Sequence, residues 1–158
     1  MGIIGAVSSG AGSFAGNRRQ LAADLFNEVW TLIETPDRSS EDDDRMLHAA
    51  HASRFHWGEV GAGVNLARGE WQCARVYSVL GRAEPALHHA RRCLELCTRH
   101  EVEDFDLPYA HEGLARAYAL AGDGPKAAQH VALAREAGER IASAENRELF
   151  LRDLSDLL

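Results

Sequence analysis

His48 and His51 stand one turn apart if residues 46–57 are helical, so their imidazoles can face a single partner. Neutral imidazole binds zinc, iron or nickel, and His111 or Glu112 can complete such a site from another helix. The competing expectation is that a histidine on a half-buried helical face donates to a backbone carbonyl or a carboxylate. It takes precedence here, because the chain contains neither HisGluXxxXxxHis nor any GluXxxXxxHis, the spacings of helical zinc-protease and di-iron carboxylate sites. No metal and no cofactor is therefore expected. A metal- or small-ligand-binding bundle using His48 and His51 stands as the alternative function.

His89, Cys93, Cys97 and His100 follow one another at spacings of four, four and three residues, along one stripe of a helix. The stripe spans about 16 Å at the usual helical rise, so one ion bridges neighbours but not all four. Cys93, Cys97 and Cys73 are expected in the core, since cysteine is among the most buried residue types. GlyAlaGlySerPheAlaGly at 10–16 has the glycines of a phosphate loop but neither a preceding strand nor a lysine-serine ending. No GlyXxxSerXxxGly elbow occurs, and the chain is expected not to be an enzyme.

The elements that must position these groups are set by length and patterning. A chain of 158 residues with 46% apolar and 26% charged content suits one globular domain. Its formal charge of −7 repels a polyphosphate backbone, which excludes nucleic acid as the expected partner. No apolar run approaches the span of about 20 residues that a membrane requires. Three cysteines cannot all pair within one chain, so a reducing cytoplasm is expected. The opening MGIIGAVSSGAGSFAG carries no basic segment before its short apolar stretch, unlike a secretory signal. Residues 1–16 are expected to form a disordered tail and 17–158 a single domain.

Within that domain the apolar residues recur at helical spacing. Leu21, Leu25, Val29 and Leu32 form the stripe of a first helix, widened by Phe26, Trp30 and Ile33, and ThrPro at 35–36 stops it. Ser40 with Asp43 predicts a capping box for a second helix running to Trp57, whose acidic first turn suits the helix dipole. Helices follow over 65–80, from Glu84 toward His100, from Asp104 or Asp106 with Pro108 in the first turn, and from Pro125 to about Ala142. Gly81 and Gly122 are predicted as left-handed caps. A seventh helix over 144–158 buries Phe150, Leu154 and Leu157 and caps the stack. No segment alternates as a strand does, so the chain is predicted to be all-α.

AlaArgValTyrSerValLeuGly at 74–81 returns as AlaArgAlaTyrAlaLeuAlaGly at 115–122, an offset of 41 residues. Ala86 and Ala127 recur at the same offset. The spacing of these small residues, tyrosines and glycines over 65–142 resembles the tetratricopeptide repeat. Glu70 and His111 occupy its leading tryptophan position, and the repeat is longer than the standard one, the surplus lying within the segment ThrArgHisGluValGluAspPheAsp. The segment 46–57 is also similar to a motif of uncharacterised small helical bacterial proteins, which carries no activity.

The resemblance implies antiparallel helical hairpins stacked as a short right-handed array of about seven helices, three hairpins plus a cap. It also implies a groove lined by the first helix of each hairpin, at Arg68, Trp71 and Arg75 and at Tyr109, Glu112 and Arg116. Arg75 and Arg116 are repeat equivalents, and the expectation is that they clamp a carboxylate together. The expected function is a non-catalytic protein-protein interaction module holding a peptide or protein segment, acidic at its docking end. A homodimer seam formed by Trp30, Trp57 or Trp71 is a further expectation for a partner.

Overall fold

The computed structural model describes residues 11–157, and among them it contains seven helices and no strand. They are α1 (Ala11–Glu34), α2 (Ser40–Val60), α3 (Gly63–Val79), α4 (Ala83–Arg99), α5 (Asp106–Leu120), α6 (Gly124–Gly138) and α7 (Ala144–Ser155). Consecutive helices pack as stacked hairpins. The odd-numbered helices also pack on one another in order, α1 on α3, α3 on α5 and α5 on α7. They form an inner layer, and the even-numbered helices, with backbones farther apart, form the outer one.

Local chemistry accounts for most boundaries. Arg38, just past the ThrPro stop, donates through Nη1 to the carbonyls of Leu32, Ile33 and Thr35 at 3.0–3.3 Å, which satisfies the open end of α1. The capping box of α2 falls one residue earlier than its sequence suggests. Ser39 Oγ accepts from Asp42 N at 3.1 Å, and Asp42 accepts from Ser39 N at 3.0 Å. This leaves Asp43 free to take the Nε of Arg38 at 2.9 Å. Ser39→Ala should therefore cost about 1 kcal/mol in urea denaturation; a change confined to Ser40→Ala would move the cap back. Gly81 and Gly122 hold φ of +70° and +78°, the left-handed turns expected between α3 and α4 and between α5 and α6.

Three expectations are corrected. Residues 11–16 form the first turns of α1 rather than a tail, while the rest of that segment lies outside the described residues. Neither Asp104 nor Asp106 caps α5. Asp106 pairs with Arg68, and Asp104 accepts from Ala142 N at 2.8 Å, tying the α4–α5 loop to the α6–α7 turn. α6 ends at Gly138, short of Ala142, because Ile141 turns into the core and the Phe150 ring sits against Gly138.

The core is a chain of local clusters between helices. Val29, Met46, Ala49, Cys73 and Val76 join the first hairpin to the second. Ala67, Cys93, Leu96, Cys97 and Ala110 fill the next level, and Ala134, Ile141, Phe150 and Leu154 seat the C-terminal helix. α7 ends at Ser155, and Leu158 lies outside the described residues. All three thiols are buried, and burial pushes that of Cys73 up to about 12. No helix among the described residues is long and apolar enough to cross a membrane.

Candidate functional site

The inner layer forms a half-open cavity of about 370 Å³. α1 supplies Phe26 and Trp30, α3 supplies Trp71, and α5 with its cap supplies Phe105 and Tyr109. The rings touch in tilted and edge-to-face pairs. Trp30 and Trp71 lie 5.4 Å apart between centroids, Trp71 and Tyr109 5.4 Å, and Phe105 and Tyr109 4.9 Å. Such pairs hold their orientation because edge and face carry opposite partial charge. The i, i+4 spacing of Phe26 and Trp30 puts both on the inner face of α1.

Polar groups rim this apolar space. Arg68 donates from Nε and Nη2 to the two oxygens of Asp106 at 2.6 and 2.9 Å, a forked pair joining α3 to α5. The Tyr109 hydroxyl donates to Asp153 Oδ2 of α7 at 2.7 Å, and burial together with this carboxylate raises the phenol above its usual range. Trp71 Nε1 donates to Glu112 Oε2 at 3.3 Å. Glu112 is buried, and Arg116 donates to its other oxygen from Nε and Nη2 at 3.0 and 2.5 Å.

Of the six residues the sequence places in the groove, Arg68, Trp71 and Tyr109 line the cavity. Arg75 and Glu112 lie one turn further along the same two helices, and Arg116 two turns further. Arg116 is held by Glu112, whose charge also acts on Arg75, so the carboxylate beside both guanidiniums is one of the protein's own. Arg75 is half-buried and makes no ion pair within 4.0 Å among the described residues. Burial, with the Arg116 charge beside it, lowers its pKa. Trp30 and Trp71 face each other in the cavity, and Trp57 stacks under Arg19 instead. Phe105, Asp106 and Asp153 were not anticipated in the site; they enter from a loop, a helix start and the last helix, where no periodic signal connects them to Trp71.

The histidines form a second layer of contacts outside the cavity. His48 is exposed, and His51 reaches the Tyr77 hydroxyl at 2.9 Å with its ring against His89. His89 Nδ1 lies 2.7 Å from Glu70 Oε2, and Arg54 donates to Glu70 Oε1 at 2.9 Å. Gly69 leaves room for the Arg54 stem on its way to Glu70: a Cβ there would stand 2.6 Å from Arg54 Cδ. The 41-residue offset reappears in space. Tyr77 stacks on His89 at 5.5 Å and 9°, and Tyr118 stacks on His130 at 5.5 Å and 12°. At the position equivalent to Glu70, His111 meets His130, Nδ1 to Nδ1, at 3.1 Å. Burial holds His51, His111 and His130 below the ordinary imidazole range.

His48, His51 and His111 are thus not brought together. Among the described residues no group of three or more histidine, cysteine, aspartate or glutamate side chains is arranged to hold a metal ion. The stripe of His89, Cys93, Cys97 and His100 is likewise no cage, since His89 serves Glu70, both thiols face the core, and His100 is exposed.

Fold and site together define a class: an all-α stack of helical hairpins with an aromatic cavity in its inner layer. No family model matches the chain, and neither a curated protein nor a solved structure matches it.

Proposed function

We propose that this protein is a non-catalytic, cytoplasmic binding module of tetratricopeptide-like hairpins, which takes a protein segment along its inner layer and anchors one side chain in the aromatic cavity. The observation that carries the reading is the convergence of five aromatic side chains from α1, α3 and α5 on a space of about 370 Å³. A volume of this size at an aromatic-lined cleft suits a single large side chain or a small ligand. Rigid aromatic walls add contact area at little entropic cost. Arg75, a half-buried cation with no ion pair among the described residues, is the position at which an acidic neighbour of the anchor would dock.

Ala67, almost fully buried, lines the cavity floor. Ala67→Leu should fill part of the space; because Ala67 also packs on the Cys93, Leu96 and Ala110 cluster, overpacking should cost up to about 3 kcal/mol while the far-ultraviolet circular dichroism stays unchanged. Panning a random peptide display library on the wild type should enrich peptides with a shared anchor position, and those peptides should lose at least about tenfold in affinity for the filled variant. A wild type that enriches nothing, or a filled variant that binds the same peptides equally, overturns the reading.

A further inference from the structure

We propose that the cavity selects a methylated ammonium group, a quaternary or trimethylated nitrogen on a short alkyl stem. This rests on the binding-module reading and names the chemistry of its anchor. Three features of the cavity carry it. The walls are the rings of Phe26, Trp30, Trp71, Phe105 and Tyr109, whose faces carry the negative part of the aromatic quadrupole and attract a cation held against them. Two of those walls are tryptophan, the ring type that attracts cations most strongly.

The charges at the cavity point the same way. Arg68 is the one basic residue among those lining it, and its charge is matched by the forked pair with Asp106. Asp153 adds a second carboxylate to the lining and makes no ion pair within 4.0 Å among the described residues, although the Arg75 charge acts on it from outside the lining. Its Oδ2 accepts from Tyr109, and among the described residues no hydrogen bond reaches its Oδ1. Arg75 and Arg116 lie outside the lining, and Arg116 is held by Glu112. The whole chain, at −7, also raises the local concentration of cations. An anion would instead meet aromatic rings, Asp153, and an Arg68 already committed to Asp106.

The choice of a methylated nitrogen over a bare ammonium follows from desolvation. A primary ammonium is compact and strongly hydrated, and the apolar walls offer its N–H groups few acceptors. Methyl groups spread the charge, weaken the hydration that must be given up, and fill the space between the rings. The same head group can arrive on a lysine side chain of the bound segment or as a free small molecule.

The test is a titration at constant ionic strength followed by tryptophan fluorescence, with choline against its uncharged carbon isostere 3,3-dimethylbutan-1-ol. Choline should saturate the signal and bind about tenfold more tightly than the isostere. Asp153→Asn, which can still accept from Tyr109, should reduce that ratio by about threefold or more, and Ala67→Leu should abolish both signals. A third arm uses a short peptide carrying trimethyl-lysine: tighter binding than choline assigns the group to the segment, and equal binding assigns it to a free ligand, both upholding the class. Equal affinity for choline and the isostere, or no saturation by either, overturns the proposal. The binding-module reading is judged separately, by the peptide selection on wild type and filled variant.

Discussion

Glu70→Ala is expected to lower the stability of the fold by about 3–5 kcal/mol, measured by urea denaturation at neutral pH. Glu70 is a buried carboxylate at the meeting of three helices, with Arg54 of α2 on one oxygen and His89 of α4 on the other. Removing it leaves a largely buried guanidinium without its acceptor, and an unpaired buried charge costs more than the pair contributes when intact. Glu70→Gln keeps an acceptor for Arg54 without the charge, and should lose less than the alanine variant. The pH dependence separates charge from packing. Burial alone pushes the Glu70 carboxyl up, but the His89 hydrogen bond and the Arg54 charge together bring it below its ordinary value. Its stabilisation is therefore fully present above about pH 4.3 and fades as pH falls through the lower folded value. The wild type should lose stability over that window, and Glu70→Gln should be flatter there. The half-buried imidazoles of His51, His111 and His130 titrate below their usual range in the fold, so both proteins share an earlier loss beginning at about pH 6.5. A stability difference between wild type and Glu70→Gln that does not narrow in acid would remove the charge from this account.

Gly138→Ala should destabilise the C-terminal end by about 3 kcal/mol, although alanine is the better helix former. A Cβ at 138 would fall inside the contact radius of Phe150 Cδ1 and Cε1. Phe150 is fully buried against Ala134, Ile141 and Leu154, so its ring has no room to withdraw. The ring also packs edge-to-face on Tyr109 at 4.8 Å, which couples the seat of α7 to the cavity wall. Adding Phe150→Leu should recover about half of the loss by clearing the clash, as expected of contacting residues that are not additive. A single variant within about 0.5 kcal/mol of wild type would mean that α7 does not seat on Gly138. Tryptophan fluorescence should report the same substitution at the cavity, through Tyr109 and its neighbour Trp71.

The hairpin pattern was legible in the residues themselves. Proline at 36, 108 and 125, and glycine at 81 and 122, mark boundaries because their effects on backbone hydrogen bonding and φ are local. The thiols and Ala74, Ala86 and Ala115 of the 41-residue echo fall in the core for the same reason, one helical stripe deciding burial, whereas Ala127 at the equivalent of Ala86 is only half-buried. Where local signals competed, the outcome was settled by partners in space. Ser39 rather than Ser40 caps α2 in the structure where Arg38 pairs with Asp43, and Asp106 leaves the cap of α5 for Arg68, 38 residues away.

The candidate site divides along the same line. That Arg68, Trp71 and Tyr109 lie on inner faces follows from the 41-residue repeat and the helical period, both readable along the chain. That Trp30 meets Trp71, that Asp153 meets Tyr109 across 44 residues, and that Glu112 rather than a ligand holds Arg116 depends on how far each helix is rotated and how closely the inner layer stacks. A period of 3.6 residues specifies which side chains share a face of one helix. It contains no information on which faces meet, and so the helices and their buried stripes belong to the sequence, whereas the aromatic cavity and its charge balance arise only when α1, α3, α5 and α7 pack together.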